Sequence, residues 1–454
     1  MPIAYPSQRV AYPYFAIALL LFVLQIVFGI WIASNYAFNL PQGLVDVFPF
    51  NFARPIHTNL LVLWLLLGFM GSTYYMIPEE SGRDLFSTKL AYLQLVILVG
   101  TGVAALVGFV LRWTSGRPLL EIPFTLDILV VIGALIFLFN VGLTLIRARK
   151  WTVTQGSLLG GLVFLALLYL FDLPFYRNLT IDWYYWWWVI HLWVEGAWEL
   201  VAAALTAFLL MKITGVPRAT VEKWLYVELG LFLFTGIAGT GHHYYWLGAP
   251  HYWIWVGGVF SALEPLPIIL MLWDAWKHVK ERQIPMASPL VFLYAVGMAI
   301  YHVIGAGFWG FVHTLPPINY YTHGSQVTVS HGHVAFFGAY VLLNLTFFYY
   351  AVPRLKGFTK FNERPGRIGF WWMSLTMMGM GLAFGVAGVL QAYIERVMGF
   401  GFMTAQAQMQ FWFQILVFFG LSMLAAVAYT VANILTLKPS PVAGGSGNDL
   451  KKTS

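Results

Sequence analysis

In an otherwise apolar stretch, His191, Glu195 and Glu199 follow one another at intervals of four, so at helical pitch all three project from one face. A histidine and two carboxylates on one stripe can bind a metal, carry protons, or both. An ionisable group deep in a membrane helix costs on the order of 2.5 to 3.5 kcal/mol on insertion scales, so three on one face require a compensating metal, proton or partner. Taken alone, the triplet is served as well by a hydrogen-bonded helix contact or by protonated carboxylates. The remaining histidines decide: His57, the pair His242-His243, and His331-Gly332-His333.

Those residues need elements to hold them. The 454 residues are 60% hydrophobic, 18% aromatic and 9% charged, with a mean hydropathy of +0.74. A soluble domain could not bury so much apolar surface, and the long apolar runs are helical rather than alternating, so the chain reads as an all-α integral membrane protein. Twelve spans are predicted near 14–35, 57–77, 90–112, 124–146, 155–172, 183–213, 220–246, 252–275, 288–313, 325–350, 366–395 and 405–436. With both termini in the cytoplasm, 20 Lys and Arg fall on the inside and 5 outside, as the positive-inside rule requires. The net charge of +7 is thus explained by topology, and nucleic acid is not expected as a partner. The N-terminal apolar run is too long for a cleaved signal. Short loops and no dividing linker predict one domain over 1–438, with 439–454 a flexible cytoplasmic tail. The aromatic clusters Trp183 to Trp188 and Tyr244 to Trp255 read as interfacial belts.

This topology puts His57, His191, His242, His243, His331 and His333 on four helices in one slab of the outer leaflet, about 10 to 15 Å thick. Six histidines at one depth point to metal. Around a helix, His331 and His333 are about 200° apart, which suits two flat cofactors side by side, with Gly332 letting a macrocycle approach. His242 and His243 sit at a helix end beside Gly239 and Gly241, where a loosened backbone can aim both at one ion. With His191 and Glu195 they make a three-histidine, one-carboxylate set suited to non-haem iron, which leaves His57, His331 and His333 as axial ligands for two haems. The absence of cysteine removes disulfides, iron–sulfur clusters and covalently attached c-type haem.

In order and over nearly all twelve spans, these motifs resemble the haem–copper oxidase superfamily. The resemblance implies a low-spin haem on His57 and His333, a high-spin haem on His331, and the neighbouring metal on His191, His242 and His243. Oxidases commonly place a crosslinking tyrosine four residues after the first of these histidines, where this chain has Glu195. That substitution, with Glu199 and the run Ser261-Ala262-Leu263-Glu264-Pro265, is similar to the large subunit of bacterial nitric oxide reductases, and the lack of a long N-terminal extension is similar to the cytochrome c-dependent type. Such a family implies reduction of two NO to nitrous oxide and water, two b-type haems, non-haem iron, a small membrane-anchored cytochrome c subunit, and a place in the bacterial inner membrane with the active site toward the periplasm. Glu195, Glu199 and Glu264 would serve the chemistry and its protons. Glu121 resembles a carboxylate that family members use on a calcium ion bridging the haem propionates; otherwise an outer-loop acid is solvated. His251, His278, His302, His313 and His323 are left without a metal, with His302 and His313 expected at the end of the ninth span.

Two other classes remain open on the sequence. A proton-pumping oxygen reductase would need a phenol near the metal and a polar inner route, for which only Tyr244 and Tyr245 are candidates. A non-catalytic haem carrier or a transporter would explain one haem pair but not the extra three-histidine set.

Overall fold

A computed structural model describes residues 3–148, 150–283 and 285–440. Twelve of its helices are long and apolar enough to cross a membrane. We label them α1 (Pro6–Ala37), α2 (Phe50–Ser81), α3 (Thr88–Val110), α4 (Phe124–Ile146), α5 (Val153–Asp172) and α6 (Leu179–Thr214). The second six are α7 (Arg218–His243), α8 (His251–Arg282), α9 (Pro289–Thr314), α10 (Gln326–Leu355), α11 (Arg364–Val397) and α12 (Phe402–Thr436). The expected number of spans is met. Most termini lie within a few residues of expectation; α2 starts about two turns earlier, so His57 stands inside the helix rather than at its mouth.

Burial is unequal, and this locates the centre of the bundle. In α6 and α10, 83% and 89% of the most apolar window is buried, against 33% in α1 and α4. The reason is in their sequences: Leu200 to Leu210 and Phe337 to Val352 offer apolar or small side chains all round, and such helices belong in the interior. The flanking helices show lipid-compatible side chains outward, such as Leu135 and Phe139 on α4 or Leu375 and Leu382 on α11.

The central helices are not regular. α6 has a π-helical turn at Trp193–Ala197, α9 one at Val303–Gly310 and α10 one at Phe337–Leu342, while α7 tightens into a 3-10 turn at Thr240–His243. α8 consists of His251–Ser261 and Leu266–Arg282, joined by a turn that carries Glu264. Wide turns of this kind gather at functional sites because they re-aim side chains.

Charged groups tie the two ends. On one side Lys212 meets Glu79 at 2.6 Å and Arg218 meets Glu80 at 2.9 Å; on the other, Arg117 donates to Asp182 at 2.7 Å and to the Asp172 carbonyl. Arg117, which the sequence presents only as an outer charge, is a buried loop tie. Of the tail expected to be flexible, Pro439 bridges to Phe361 and Ser440 donates its N–H to the Lys360 carbonyl at 3.0 Å; 441–454, with Lys451 and Lys452, lie outside the described residues, as does Arg149.

Candidate metal centre

The α6 π-turn and the α7 3-10 turn meet. His191, fully buried on α6, holds Nδ1 at 3.4 Å from Glu195 Oε2 and 3.2 Å from His243 Nε2. His243 Nε2 stands 2.8 Å from His242 Nε2 and 3.1 Å from Glu195 Oε1, which is 3.5 Å from His242 Nε2. One ligand atom from each of the four residues lies within 4.8 Å of every other. Metal–imidazole bonds of about 2.0 to 2.1 Å separate tetrahedral ligands by about 3.3 Å, so these spacings suit a single ion. Imidazole nitrogens facing one another cannot all be satisfied by hydrogen bonds among themselves. The donor set of three nitrogens and a hard oxygen suits iron.

Local structure explains the aim. An ordinary helix would leave Glu195 one turn below His191; the π-turn widens the coil beneath the histidine, and within it the Val194 carbonyl accepts from Tyr340 Oη at 2.6 Å. On the other helix, the 3-10 turn winds His242 and His243 tightly enough to converge. Gly241 and Gly257 sit where α7 touches α8, and a methyl group on either would run into the other helix's backbone. Trp187 stacks on His243, with ring centroids 4.7 Å apart and planes at 11°. Glu195 keeps 26% of its side chain accessible, and that surface faces internal cavities, since the residue lines two of them.

The first cavity, of about 90 Å³, is bounded by Glu195, His242, His331, Glu199, Glu264 and Tyr340. The second, about 410 Å³ and mainly apolar, holds His57 and His333 with Gly29 and Phe384. His331 and His333 thus open onto different cavities, and Gly332 borders both. The rings of His57 and His333 have centroids 6.2 Å apart and planes at 24°. Two imidazoles on opposite sides of one metal lie about this far apart, since each contributes a bond of about 2 Å and a ring radius of about 1 Å. In all three histidines Nδ1 is paired with a backbone carbonyl: His57 with Gln25 at 2.8 Å, His331 with Gly305 at 2.9 Å, His333 with Val329 at 2.9 Å. That bond fixes the tautomer and leaves Nε2 as the ligand atom, an arrangement typical of metal-bound imidazole. The residues present therefore fit a haem pair and a separate ion.

The other expected acids are placed as follows. Ser261 Oγ donates to Glu195 Oε2 at 3.0 Å and lies 3.3 Å from Glu264 Oε2, and Thr235 donates to Glu264 Oε1 at 3.1 Å, so Glu195, Ser261, Glu264 and Thr235 form one polar chain. Glu199 sits 2.9 Å from His302 Nε2. Glu121 is not solvated: it is 3% exposed, accepts from Asn59 Nδ2 at 2.8 Å, and has Arg54 at 3.8 Å. Burial raises its carboxyl above the usual range, only partly countered by Asn59 and Arg54, and Oε1 has no hydrogen-bond partner. An under-compensated buried carboxylate with a free oxygen is a reasonable cation ligand.

Sequence reasoning missed two residues here. His302 stands in the middle of α9 rather than at its end, and Tyr340 is a phenol on the wall of the smaller cavity. Tyr244 and Tyr245, the phenols that the sequence suggested, line neither cavity, and burial pushes both up to about 12. His313 is satisfied by Thr322 and Thr328, each at 3.0 Å. A histidine's depth in a span and a tyrosine on an apolar face were the signals available.

Comparison with known proteins bears on the family and the fold. Residues 9–422 match the family described as cytochrome c and quinol oxidase polypeptide I. The chain is similar to a nitric oxide reductase subunit of Stutzerimonas stutzeri, 44% identical over 95% of this chain and 94% of that protein. It is more remotely similar to a Cbb3-type cytochrome c oxidase subunit of the same organism, 22% identical over 81% and 80% of the two chains. A heme-copper terminal oxidase dimer has the same fold, with a TM-score of 0.75 at 14% identity, covering 95% of this chain and 84% of the other.

Proposed function

The chain belongs to the cytochrome c and quinol oxidase polypeptide I family, a multi-pass membrane family of haem and metal enzymes, and from that premise we propose that it is the catalytic subunit of a nitric oxide reductase. The reaction is the reduction of two NO by two electrons and two protons to nitrous oxide and water. One observation carries the reading: the position one helical turn below His191 is a carboxylate, Glu195, whose oxygens stand among three imidazole nitrogens. A hard oxygen donor suits iron over copper, and the site lacks a phenol on that turn to supply an electron and proton for O–O cleavage.

In this reading His191, His242, His243 and Glu195 hold non-haem iron, His331 holds the haem beside it, and His57 with His333 hold a second, low-spin haem; both haems are b-type. When bound, these groups supply the electrons and the positive charge that couple two NO molecules. The chain's own residues do the rest. The Nδ1 bonds to Gln25, Gly305 and Val329 keep each ring turned toward its cavity. The small cavity, walled by Phe336, Ala335 and Ala339, limits water around the reacting molecules. Glu264 and Glu199, both buried, are placed to hold protons for the departing oxygen, and Ser261 links Glu264 to Glu195. Glu121, with its unpartnered Oε1, would hold a calcium ion. Electrons come from a small membrane-anchored cytochrome c subunit on the periplasmic side of the bacterial inner membrane, the termini of this single-domain chain (1–438, with tail 439–454) being cytoplasmic.

Oxygen reduction is the second reading, and Tyr340 is the observation that favours it. Its Oη, however, is committed to the Val194 carbonyl rather than to a histidine. The test is to purify the complex with its partner subunit and compare NO and oxygen consumption with one electron donor. Nitrous oxide formation well above oxygen uptake is expected; oxygen turnover without NO turnover would overturn the assignment.

A further inference from the structure

The metal centre and its serine-linked acid leave one buried pair unexplained. His302 of α9 is 1% exposed and its Nε2 lies 2.9 Å from Glu199 Oε1, across 103 residues of sequence. Glu199 Oε2 and His302 Nδ1 are buried too, and neither has a protein partner. We propose that His302 is the positioning residue of Glu199: it holds that carboxylate against the small cavity and shares one proton with it.

Three features carry this. Glu199 lies one turn inward of Glu195 and within electrostatic range of Glu264 on α8, Glu228 on α7 and Tyr340 on α10, all anionic or neutral. Among the described residues, His302 is the one basic side chain bonded to it. A lone buried carboxylate is costly, whereas a carboxylate–imidazole pair is neutral overall whether the proton sits on oxygen or on nitrogen, so the proton can move across the 2.9 Å contact without creating net charge. The backbone also fixes the imidazole. Gly338 of the α10 π-turn lies so close to the Tyr301 and His302 backbone that a methyl group would collide with it, and Tyr301 Oη donates to the Ser374 carbonyl at 2.6 Å. Glu199 lines the small cavity, so a second proton taken up at the unpartnered Oε2 can leave as its O–H bond breaks, while the proton shared with His302 stays on Nε2 and that N–H steadies the carboxylate left behind.

The inference rests on the nitric oxide reductase reading, and the test separates the two. In the purified complex, His302→Ala should keep both haem spectra while turnover falls about tenfold or more, the usual cost of removing such a partner. Turnover of the double variant His302→Ala/Glu199→Gln should match that of Glu199→Gln within about twofold, since the two residues act as one unit. His302→Gln, which keeps an N–H donor, should restore part of the loss and serves in place of the alanine variant if that assembles poorly. In oxidised-minus-reduced infrared spectra, the carboxyl band that disappears in Glu199→Gln should shift in His302→Ala. This band is read without turnover, so it reports on the pair even if the wild-type complex reduces no NO. An unshifted band, or losses that multiply in the double variant, would overturn the proposal.

Discussion

Replacing Glu195 by glutamine removes one negative charge and leaves the side chain's length and volume. Oε1 stands 3.1 Å from His243 Nε2 and Oε2 3.4 Å from His191 Nδ1, so both oxygens border the point where the ligand atoms converge. A unit charge pair about 4 Å apart is worth about 4 kcal/mol at an effective dielectric constant of 20, and a divalent ion doubles it. The amide carbonyl retains some ligation, and relief from burying a carboxylate offsets a further part. Together these leave a loss of roughly 3 kcal/mol, on the order of a hundredfold in metal affinity. No haem-facing histidine is touched, so both haem spectra should persist. The assay is non-haem iron per haem by elemental analysis after dialysis against a weak chelator, with NO consumption followed on the same sample by electrode. Iron and turnover should fall together in Glu195→Gln. Near-normal iron and near-normal turnover would show that the carboxylate is a bystander and refute the reasoning.

Because His331 and His333 open onto different cavities, His333→Ala should erase the low-spin haem spectrum and His331→Ala alter the high-spin one; loss of the same species in both would contradict the split. Glu121 binds its proton more readily than an ordinary carboxyl, so the folded loop favours the protonated form, and as pH rises through that raised value the cost of the buried charge must be met by a cation. Calcium bound in equilibrium dialysis should therefore fall away as pH drops, at a higher pH than for an unperturbed glutamate, and be lost in Glu121→Gln; binding unchanged in that variant would remove the residue from the site. Oriented vesicles given NO and an external donor should take up protons from the outside with no potential, because the proposed orientation puts the metal site nearer that face; an uncoupler-sensitive potential would point to an inner route.

Much of this site is legible in the sequence because membrane helices obey few rules and obey them strictly. The period of His191 and Glu195, the adjacency of His242 and His243, and the opposed directions of His331 and His333 each survive folding, since a helix fixes angle and depth together. What sequence could not provide is departure from regular pitch. The π-turn at Trp193–Ala197 changes which way Glu195 and Val194 face. Tyr340 is invisible for the same reason, because its partner is a backbone carbonyl within that turn. The Glu199–His302 contact joins residues far apart in the chain, and only the crossing of α6 and α9 brings them together. Glu121 escapes the solvation expected of an outer-loop acid because the segment between two spans folds back over the bundle, here onto Asn59 and Arg54 of α2.

The central claim is the identity of the ion held by His191, Glu195, His242 and His243. Elemental analysis of the complex purified with its partner subunit tests it most directly, with haem quantified separately on the same sample. The account predicts one iron per chain beyond the haem iron and no stoichiometric copper. Stoichiometric copper, with iron accounted for by haem alone, would contradict it.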